Sequence, residues 1–260
     1  MVKTAFAIVA HPDDIEFMMS GTLMLLKEAG YELHYMNIAN GSCGSTEHNA
    51  ATLVPMRREE AKNAAEFIGA HFHESLTNDL EIFYEKKTLA RLASIMRAVA
   101  PEIVLLHSPQ DYMEDHMNAC RLGLTAAFCR GMPNFPVDPP RDIASNDVTL
   151  YHAQPHGNSN GVCEPVHPKI FVDVSSVIER KAEMLAFHKS QKDWLDVSQG
   201  LDSYIYTMKQ ICSDVGRLSG KYEFAEGWRR HSHLGFCGPE ANPLVDALKA
   251  CSLNSETTSG

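Results

Sequence analysis

Long hydrophobic runs are absent from this 260-residue sequence, and their absence excludes one class of protein. No apolar stretch reaches the roughly 18 residues that a membrane-spanning helix needs. The N-terminal stretch MVKTAFAIVAHPDD lacks the small-residue cleavage site of a signal peptide, and it runs directly into acidic residues. We therefore predict a cytoplasmic protein without a membrane span.

Basic charge is also scarce. The chain has 23 Lys and Arg against 33 Asp and Glu, which gives a formal net charge of -10 with His neutral. A protein that binds the phosphate backbone of nucleic acids usually presents a basic face. The charge balance therefore argues against a nucleic-acid partner.

Cysteine pairs and nucleotide-binding glycine motifs are missing as well. The seven Cys are odd in number and irregularly spaced, and no C-x-x-C pair occurs, so neither a disulfide framework nor a thiolate zinc site is expected. The loop NGSCGS lacks the G-x-G-x-x-G spacing and the G-K-[ST] ending of nucleotide loops. A dinucleotide-dependent oxidoreductase is therefore disfavoured.

The sequence does contain the pattern of an α/β protein. Residues 3–10 are apolar, residues 16–28 are amphipathic and precede Gly30, and residues 31–40 alternate like a strand. This strand–helix–strand unit predicts a Rossmann-like, doubly wound and mostly parallel sheet. Further helices are predicted at 55–70, with Pro55 in the first turn, at 86–100 and at 177–191, and further strands at 102–109, 148–153 and 169–175.

The composition fits one globular domain, with 44% hydrophobic and 22% charged residues. The loop at 131–146 is rich in Pro, Asn and Asp and could mark a domain boundary, but it is followed by strands that suit the same sheet. We therefore predict a single domain over residues 1–260 and interpret this loop as an active-site or oligomer loop.

Candidate catalytic residues follow the predicted strands. The first strand ends in His11-Pro12-Asp13-Asp14, and the strand at 102–109 leads into a segment that contains His116. In open α/β sheets, ligands bind outside the carboxyl ends of the strands, so we expect these side chains to meet in one crevice.

The residue types in this predicted crevice suit a catalytic metal. Zinc sites of this kind take three His or carboxylate ligands and keep an open position for water, and the same set also fits ferrous iron. The metal lowers the pKa of water to about 7 and polarises a carbonyl oxygen. A second carboxylate that does not bind the metal can take the proton from that water, which would explain two adjacent Asp residues.

Five segments occur in an order that resembles a known family. They are AHPDDIEF followed by GTL, NIANGSCGS, MRREEAKNAAEFIGA, PEIVLLHSPQDYMEDH and AFHKSQ. In content and order they are similar to the PIG-L/LmbE-like zinc-dependent N-deacetylase family. The resemblance runs from about Phe6 to Gln191, so residues 192–260 would be a C-terminal extension of the domain.

The resemblance implies a zinc-dependent N-deacetylase that acts on N-acetylated sugars such as N-acetylglucosaminyl compounds. It implies His11, Asp14 and His116 as zinc ligands, with a metal-bound water as the nucleophile. Asp13 would be the general base and then the acid that protonates the leaving amine, and Arg57 would contact the substrate. The family also implies a homo-oligomer, a trimer or a hexamer.

One departure from the family pattern concerns the oxyanion. Many members have His three residues before the last metal ligand, where this chain has Met113, which cannot donate a hydrogen bond. The loss of one oxyanion donor typically costs about 10²–10³ in kcat. Tyr112 and a histidine of the segment RRHSHLGF, His231 or His233, are the candidate substitutes. Asp115 is a further candidate, as a support for the metal site.

Other interpretations stay open at this point. Met113 and the loop at 131–146 leave room for an amidase of a different amide, such as a thiol conjugate or an antibiotic intermediate. A protein that binds a sugar or a metal without turnover is the alternative from another class. Asp14 could cap the helix that follows it, and Arg57 could be a buried partner of carboxylates. Structural or surface roles are expected for His107, His152, His156 and His188.

Overall fold

The computed structural model describes residues 2–191, 203–248 and 252–254, the last segment by its backbone alone. The strands are β1 (Thr4–Val9), β2 (Glu32–Asn37), β3 (Ala70–His73), β4 (Ile103–Leu106), β5 (Thr149–Ala153), β6 (Ile170–Asp173), β7 (Ala225–Arg230) and β8 (Ser252–Asn254). The helices are α1 (Asp14–Met18), α2 (Ser20–Glu28), α3 (Ala50–Phe67), α4 (Lys86–Val99), α5 (Glu114–Phe128), α6 (Ile178–Leu185), α7 (Ser203–Ser219) and α8 (Pro243–Ala247).

One sheet in the order β3-β2-β1-β4-β5-β7-β6-β8 forms the centre of the molecule. The strands from β3 to β5 are parallel, whereas β7 runs antiparallel to both β5 and β6. The chain winds outwards from β1 in one direction to β3, and then from β4 in the other direction. The predicted α/β, doubly wound and mostly parallel fold is therefore confirmed.

The central strands are buried because helices cover both faces of the sheet. Every residue of β1 is buried, and its side chains alternate between two hydrophobic clusters. Ala5 and Ala7 pack on one side with α2, α3 and α6, whereas Phe6 and Ile8 pack on the other side with α4 and α5. A parallel strand that is covered on both faces has an unbroken apolar sequence, as β1 does.

Two helix boundaries differ from the prediction. The helix expected to begin at Pro55 begins at Ala50, because the Asn49 side chain accepts a hydrogen bond from the Thr52 N–H at 3.1 Å and caps the first turn. Pro55 therefore lies in the second turn, where it removes one helical hydrogen bond. The helix predicted at 16–28 is two helices that meet at Met19, whose φ of -137° is not helical.

The loop at 131–146 is irregular, as predicted, but it does not line the cavity described below. Two arginines, each 8% exposed, hold its backbone carbonyls. Arg97 donates to Met132 O at 2.7 Å and to Phe135 O at 3.1 Å, and Arg130 donates to Asn146 O at 2.8 Å. The active-site role expected for this loop is not supported by its position, whereas the role in an oligomer stays a prediction.

The C-terminal part of the chain is built into the sheet and holds the N-terminal helices. Glu226 on β7 accepts hydrogen bonds from the N–H groups of Gly21 at 2.9 Å and Thr22 at 2.7 Å, in the first turn of α2. Lys181 on α6 pairs with the same carboxylate, and both side chains are almost completely buried. The Trp228 ring N–H donates to Thr22 Oγ1 at 3.0 Å. Among the described residues, no helix is both long and apolar enough to cross a membrane.

We expect Glu226→Ala to destabilise the fold by about 3–5 kcal/mol, because it leaves the buried Lys181 ammonium without its counter-charge. Urea denaturation would measure the change in free energy of unfolding. Glu179→Ala is the matched control, since the exposed pair between Glu179 and Lys209 should contribute less than about 1 kcal/mol. Equal losses in the two variants would contradict this prediction.

Candidate active site and metal centre

A cavity of about 360 Å³ opens at the carboxyl ends of β1 and β4, where the winding of the sheet reverses. This is where open α/β sheets bind their ligands. The cavity is lined by the predicted site residues His11, Asp13, Asp14, Arg57, Tyr112 and His116, and also by Phe17, Met18, Cys43, Gly44, Asp79, Leu80, His107, Met113, His156, Gln191, Tyr204 and Thr207.

Two overlapping groups of side chains at this cavity can hold a metal ion. One consists of His107, Asp111 and His116, and the other consists of the three residues that the sequence predicts. His11, Asp14 and His116 each offer one ligand atom, and the three atoms lie within 4.8 Å of one another. Asp14 Oδ1 lies 3.4 Å from His116 Nε2, and Asp14 Oδ2 lies 3.6 Å from His11 Nδ1. Ligands about 2.0–2.1 Å from a tetrahedral ion are about 3.4 Å apart, so the spacing fits such an ion.

Each histidine of this group is held by a carboxylate on its other ring nitrogen. His11 Nε2 lies 3.0 Å from Asp115 Oδ2, and His116 Nδ1 lies 3.0 Å from Asp111 Oδ1. Asp115 also accepts a hydrogen bond from the Leu80 N–H at 2.7 Å. Such outer carboxylates fix the tautomer and direct the free nitrogen towards a metal. The sequence analysis missed Asp111, although an acidic residue between a strand end and a candidate ligand was a usable signal.

Asp14 is a candidate ligand with an ionised side chain, and it does not cap the helix. Burial alone would raise its pKa, but His116 and His107 hold the pKa well below the ordinary value for Asp. Asp14 Oδ2 accepts a hydrogen bond from the His11 N–H at 2.7 Å, and α1 has no side-chain cap. The ordinary capping interpretation of this turn is therefore not supported.

His107 lies inside the site, contrary to the structural or surface role expected for it. Its ring stacks on the His116 ring with centroids 4.2 Å apart, and its Nε2 lies 3.1 Å from Asp14 Oδ2. The same nitrogen lies 3.0 Å from the Ala10 N–H. Burial and the neighbouring His116 lower the pKa of His107. A histidine after an apolar strand gave no signal of this position, which depends on β4 lying beside β1.

Asp13 stands beside the three candidate ligands without belonging to their group. Its backbone has φ 104°, a left-handed conformation that Asp and Asn tolerate better than most residues. Asp13 Oδ2 accepts a hydrogen bond from the Tyr204 hydroxyl at 2.8 Å and lies 3.5 Å from the Arg57 guanidinium. Burial raises the pKa of Asp13, while Arg57 acts in the opposite direction. A carboxylate with a raised pKa suits a group that accepts and returns a proton near neutral pH.

Arg57 is 3% exposed and lines the cavity. Its guanidinium donates to Pro12 O at 2.5 Å, and Gly41 and Gly44 pack directly against it. Gly41 has φ 78°, and a Cβ there would lie 2.5 Å from Arg57 Cδ. This setting supports the role of a buried carboxylate partner, and substrate contact by Arg57 stays a prediction.

A second buried network lies behind Asp13, beneath α1. Glu16 is fully buried and accepts a hydrogen bond from the Tyr35 hydroxyl at 3.0 Å. His188 Nε2 lies 3.2 Å from Glu16 Oε1. Burial alone would lower the pKa of His188, but Glu16 raises it above the ordinary value. His188 is therefore a buried partner of Glu16, which is a structural role.

The candidate substitutes for the oxyanion donor missing at Met113 differ in whether they line the cavity. Tyr112 lines the cavity, 5.6 Å from the His116 ring between centroids, and partial burial with the charge of Asp14 raises its pKa to about 12. Its hydroxyl is therefore protonated and able to donate. His156, for which a structural or surface role was expected, also lines the cavity.

His233, by contrast, does not line the cavity, so its position does not support an oxyanion role. The His233 carbonyl accepts hydrogen bonds from the N–H groups of Phe236 and Cys237, in a tight turn. His231 is also directed elsewhere, because its Nδ1 lies 3.0 Å from His152 Nε2.

We expect Tyr204→Phe to move the acid limb of the kcat/KM profile to higher pH. The Tyr204 hydroxyl stabilises the charged form of Asp13 and so lowers its pKa, and removing it raises that pKa. Asp13 then becomes a carboxylate only at higher pH. The Phe ring retains the edge contact with Phe17, and Tyr206→Phe is the matched control because Tyr206 is 68% exposed. An unshifted limb in Tyr204→Phe would mean that Asp13 does not control the profile.

Comparison with known proteins places the chain among enzymes of one family. The family model "PIG-L: GlcNAc-PI de-N-acetylase" matches residues 6–127. Diacetylchitobiose deacetylase from Thermococcus kodakarensis is 30% identical over 235 residues, which cover 88% of this chain and 83% of that protein. A 4-oxalmesaconate hydratase from Pseudomonas putida is 32% identical over 187 residues, 69% of this chain and 70% of the hydratase.

Among solved structures, N,N'-diacetylchitobiose deacetylase from Pyrococcus horikoshii superposes with a TM-score of 0.75 at 23% identity, covering 89% of this chain and 85% of that one. At that identity the likeness establishes a shared fold.

Proposed function

The chain belongs to the PIG-L (GlcNAc-PI de-N-acetylase) family, and from this premise we propose that it is a metal-dependent N-deacetylase of an N-acetylated sugar. One observation carries the proposal. His11, Asp14 and His116 form a three-ligand group, and Asp13 stands beside that group in the same cavity. This arrangement supports hydrolysis of an acetamide, with acetate and a free amine as products.

His11, Asp14 and His116 would hold the metal, and Asp111 and Asp115 would orient the two histidines. Two imidazoles and one carboxylate suit zinc, and they also suit ferrous iron. When bound, the metal lowers the pKa of water and polarises the acetamide oxygen.

Asp13 transfers the proton from the water to the leaving amine. It accepts a proton from the attacking water and returns it to the amide nitrogen as the C–N bond breaks, so the amine leaves in neutral form. The raised pKa of Asp13 suits both steps, because the group must hold the proton briefly and then release it. Tyr204 and Arg57 keep the carboxylate in one orientation.

Tyr112 is our candidate for the donor that stabilises the developing negative charge on the acetamide oxygen. It lines the cavity, it is protonated, and it is adjacent to Met113, where many family members have histidine. Hydroxyl donors serve this purpose in other acyl-transfer sites.

The substrate class is inferred from the relatives and from the size of the site. The T. kodakarensis relative is a diacetylchitobiose deacetylase, and a cavity of about 360 Å³ lies within the range that binds small ligands. We propose a small N-acetylated sugar or glycoconjugate, bound by a protein that forms a homo-oligomer in the cytoplasm.

A hydratase is the second candidate function. It is favoured by the 32% identity to 4-oxalmesaconate hydratase, which extends over 69% of this chain. Both reactions add water to a carbon next to a polarised oxygen or conjugated with one, so one site could be adapted to either.

Acetate release from a panel of N-acetylated sugars, including diacetylchitobiose, tests the proposal. Metal content is quantified in the same preparation, and 4-oxalmesaconate is assayed in parallel for hydration. Acetate release from one member of the panel would support the deacetylase. Hydration of 4-oxalmesaconate without acetate release would favour the second candidate, and bound metal with neither activity would favour a different amide or a binding protein.

A further inference from the structure

A group of three histidines and one glutamate lies at the edge of the sheet formed by β2 and β3. In the parallel register, His34 is opposite His71, and Met36 is opposite His73. Successive side chains in a strand alternate between faces, so Glu32 and His34 share a face of β2, and His71 and His73 share the same face of β3. The side chains of Glu32, His34, His71 and His73 therefore lie on one face of the sheet.

The four side chains are in contact. His71 Nε2 lies 2.9 Å from Glu32 Oε1, and His34 Nε2 lies 3.7 Å from the same oxygen. The other nitrogen of His34, Nδ1, lies 2.8 Å from His73 Nε2. The rings of His34 and His73 are stacked, with centroids 5.1 Å apart.

This geometry suits a metal ion better than it suits a chain of hydrogen bonds. Glu32, His34 and His71 each offer one ligand atom within 4.8 Å of the others. The distances of 2.9 and 3.7 Å to Glu32 Oε1 bracket the separation of about 3.4 Å between ligands of a tetrahedral ion. When His34 Nδ1 donates to His73, Nε2 of His34 carries no proton and is directed at Glu32, which is the tautomer that a metal requires.

A surface ion pair between Glu32 and His71 is the simpler interpretation, and it accounts for two of the four side chains. It does not explain the 2.8 Å contact between His34 and His73. That contact fixes the orientation of the His34 ring, which makes no hydrogen bond to Glu32 because the distance is 3.7 Å. Exposed pairs of this kind also contribute little to stability, too little to organise four side chains.

We propose that Glu32, His34 and His71 form a second divalent-metal site, distinct from the cavity, with His73 as the residue that orients His34. Two imidazoles and one carboxylate suit zinc and similar ions. Glu32 is the first residue of β2, so the site lies towards the amino ends of the strands, whereas the cavity lies at their carboxyl ends. The His71 side chain is 62% exposed, which leaves the remaining coordination positions open to water or to a donor from another molecule.

Zinc binding to the full chain tests the proposal. The protein is stripped with a chelator and titrated with Zn²⁺ against a competing chromophoric chelator, with zinc per chain confirmed by elemental analysis. We expect two equivalents for the wild type, one tight and one weaker. His71→Ala and Glu32→Gln should each weaken the second equivalent at least about tenfold, and His73→Ala should weaken it by about 10–100-fold, as the loss of an orienting partner does at other sites.

Two variants separate this site from the catalytic one. His116→Ala should lose the other equivalent and retain the one that depends on His71, and His48→Ala, an exposed histidine elsewhere, should change neither. His71→Ala alters an exposed side chain, so its fold should be intact, and thermal melting confirms this. One equivalent in the wild type that disappears only in His116→Ala would overturn the second site and leave the proposed function standing. Two equivalents that persist in both His71→Ala and Glu32→Gln would also overturn it.

Discussion

Replacing Asp13 by Asn is expected to lower kcat by about 10²–10⁴-fold and to leave the metal content unchanged. The amide cannot accept a proton from water, but it retains the shape of the carboxylate and can still accept the Tyr204 hydrogen bond. Asn also tolerates the left-handed backbone at this position, where φ is 104°. The variant therefore removes the proton-transfer function without the strain that Ala or a larger residue would add.

The measurement is steady-state acetate release together with metal per chain, at saturating substrate. Asp79→Asn is the matched control, because Asp79 lines the same cavity but accepts hydrogen bonds from the backbone N–H groups of Gly41 and Cys43. We expect that control to lose much less activity than Asp13→Asn. If Asp13→Asn retained more than half of the wild-type kcat, Asp13 would not be the general base.

His116→Ala is expected to remove one equivalent of metal per chain and, with it, the deacetylase activity. The substitution deletes one of three ligands and also leaves the buried Asp111 carboxylate without its partner. Loss of an orienting residue alone typically weakens metal binding by about 10–100-fold, so loss of a ligand should cost more than about 100-fold.

Metal per chain after dialysis and acetate release would be measured together in His116→Ala, Asp111→Asn and His156→Ala. Asp111→Asn should fall between the wild type and His116→Ala in metal affinity. His156 lines the cavity without belonging to the ligand group, so His156→Ala should keep its metal. A His116→Ala protein that retained full metal and turnover would exclude the proposed ligand set.

The sequence predicted the order of the central elements well because the strands β1 and β4 are apolar throughout. It missed β3, whose four residues AHFH are neither uniformly apolar nor long enough to show a period. It also missed β7, AEGWRR, since a strand that contains Gly, Glu and two Arg does not resemble a buried one. Glu226 is buried there only because Lys181 and the first turn of α2 satisfy its carboxylate, and those partners are distant in the sequence.

In the candidate site too, the sequence identified residues with a local signal and missed residues whose roles depend on partners distant in the sequence. His11, Asp13 and Asp14 follow one strand and were identified from their position and from the family motif. Asp111 and His107 acquire their roles through β4 lying beside β1. Spacing gave no signal for His107, whereas the position of Asp111 between a strand end and a candidate ligand was a usable signal. His233 does not line the cavity, and nothing in the segment RRHSHLGF indicates where it lies relative to the sheet.

The hydrogen bonds that close the site have a consequence for the order in which it is completed during synthesis. Tyr204 and Asp13 are 191 residues apart, and Glu226 and Gly21 are 205 residues apart. The first strand and the first two helices leave the ribosome long before these partners exist, and domains of this size pass through partly structured intermediates. A nascent chain that ends between His116 and Tyr204 therefore has its candidate ligand histidines but lacks the hydroxyl that holds Asp13, so the site is completed only after Tyr204 has been synthesised.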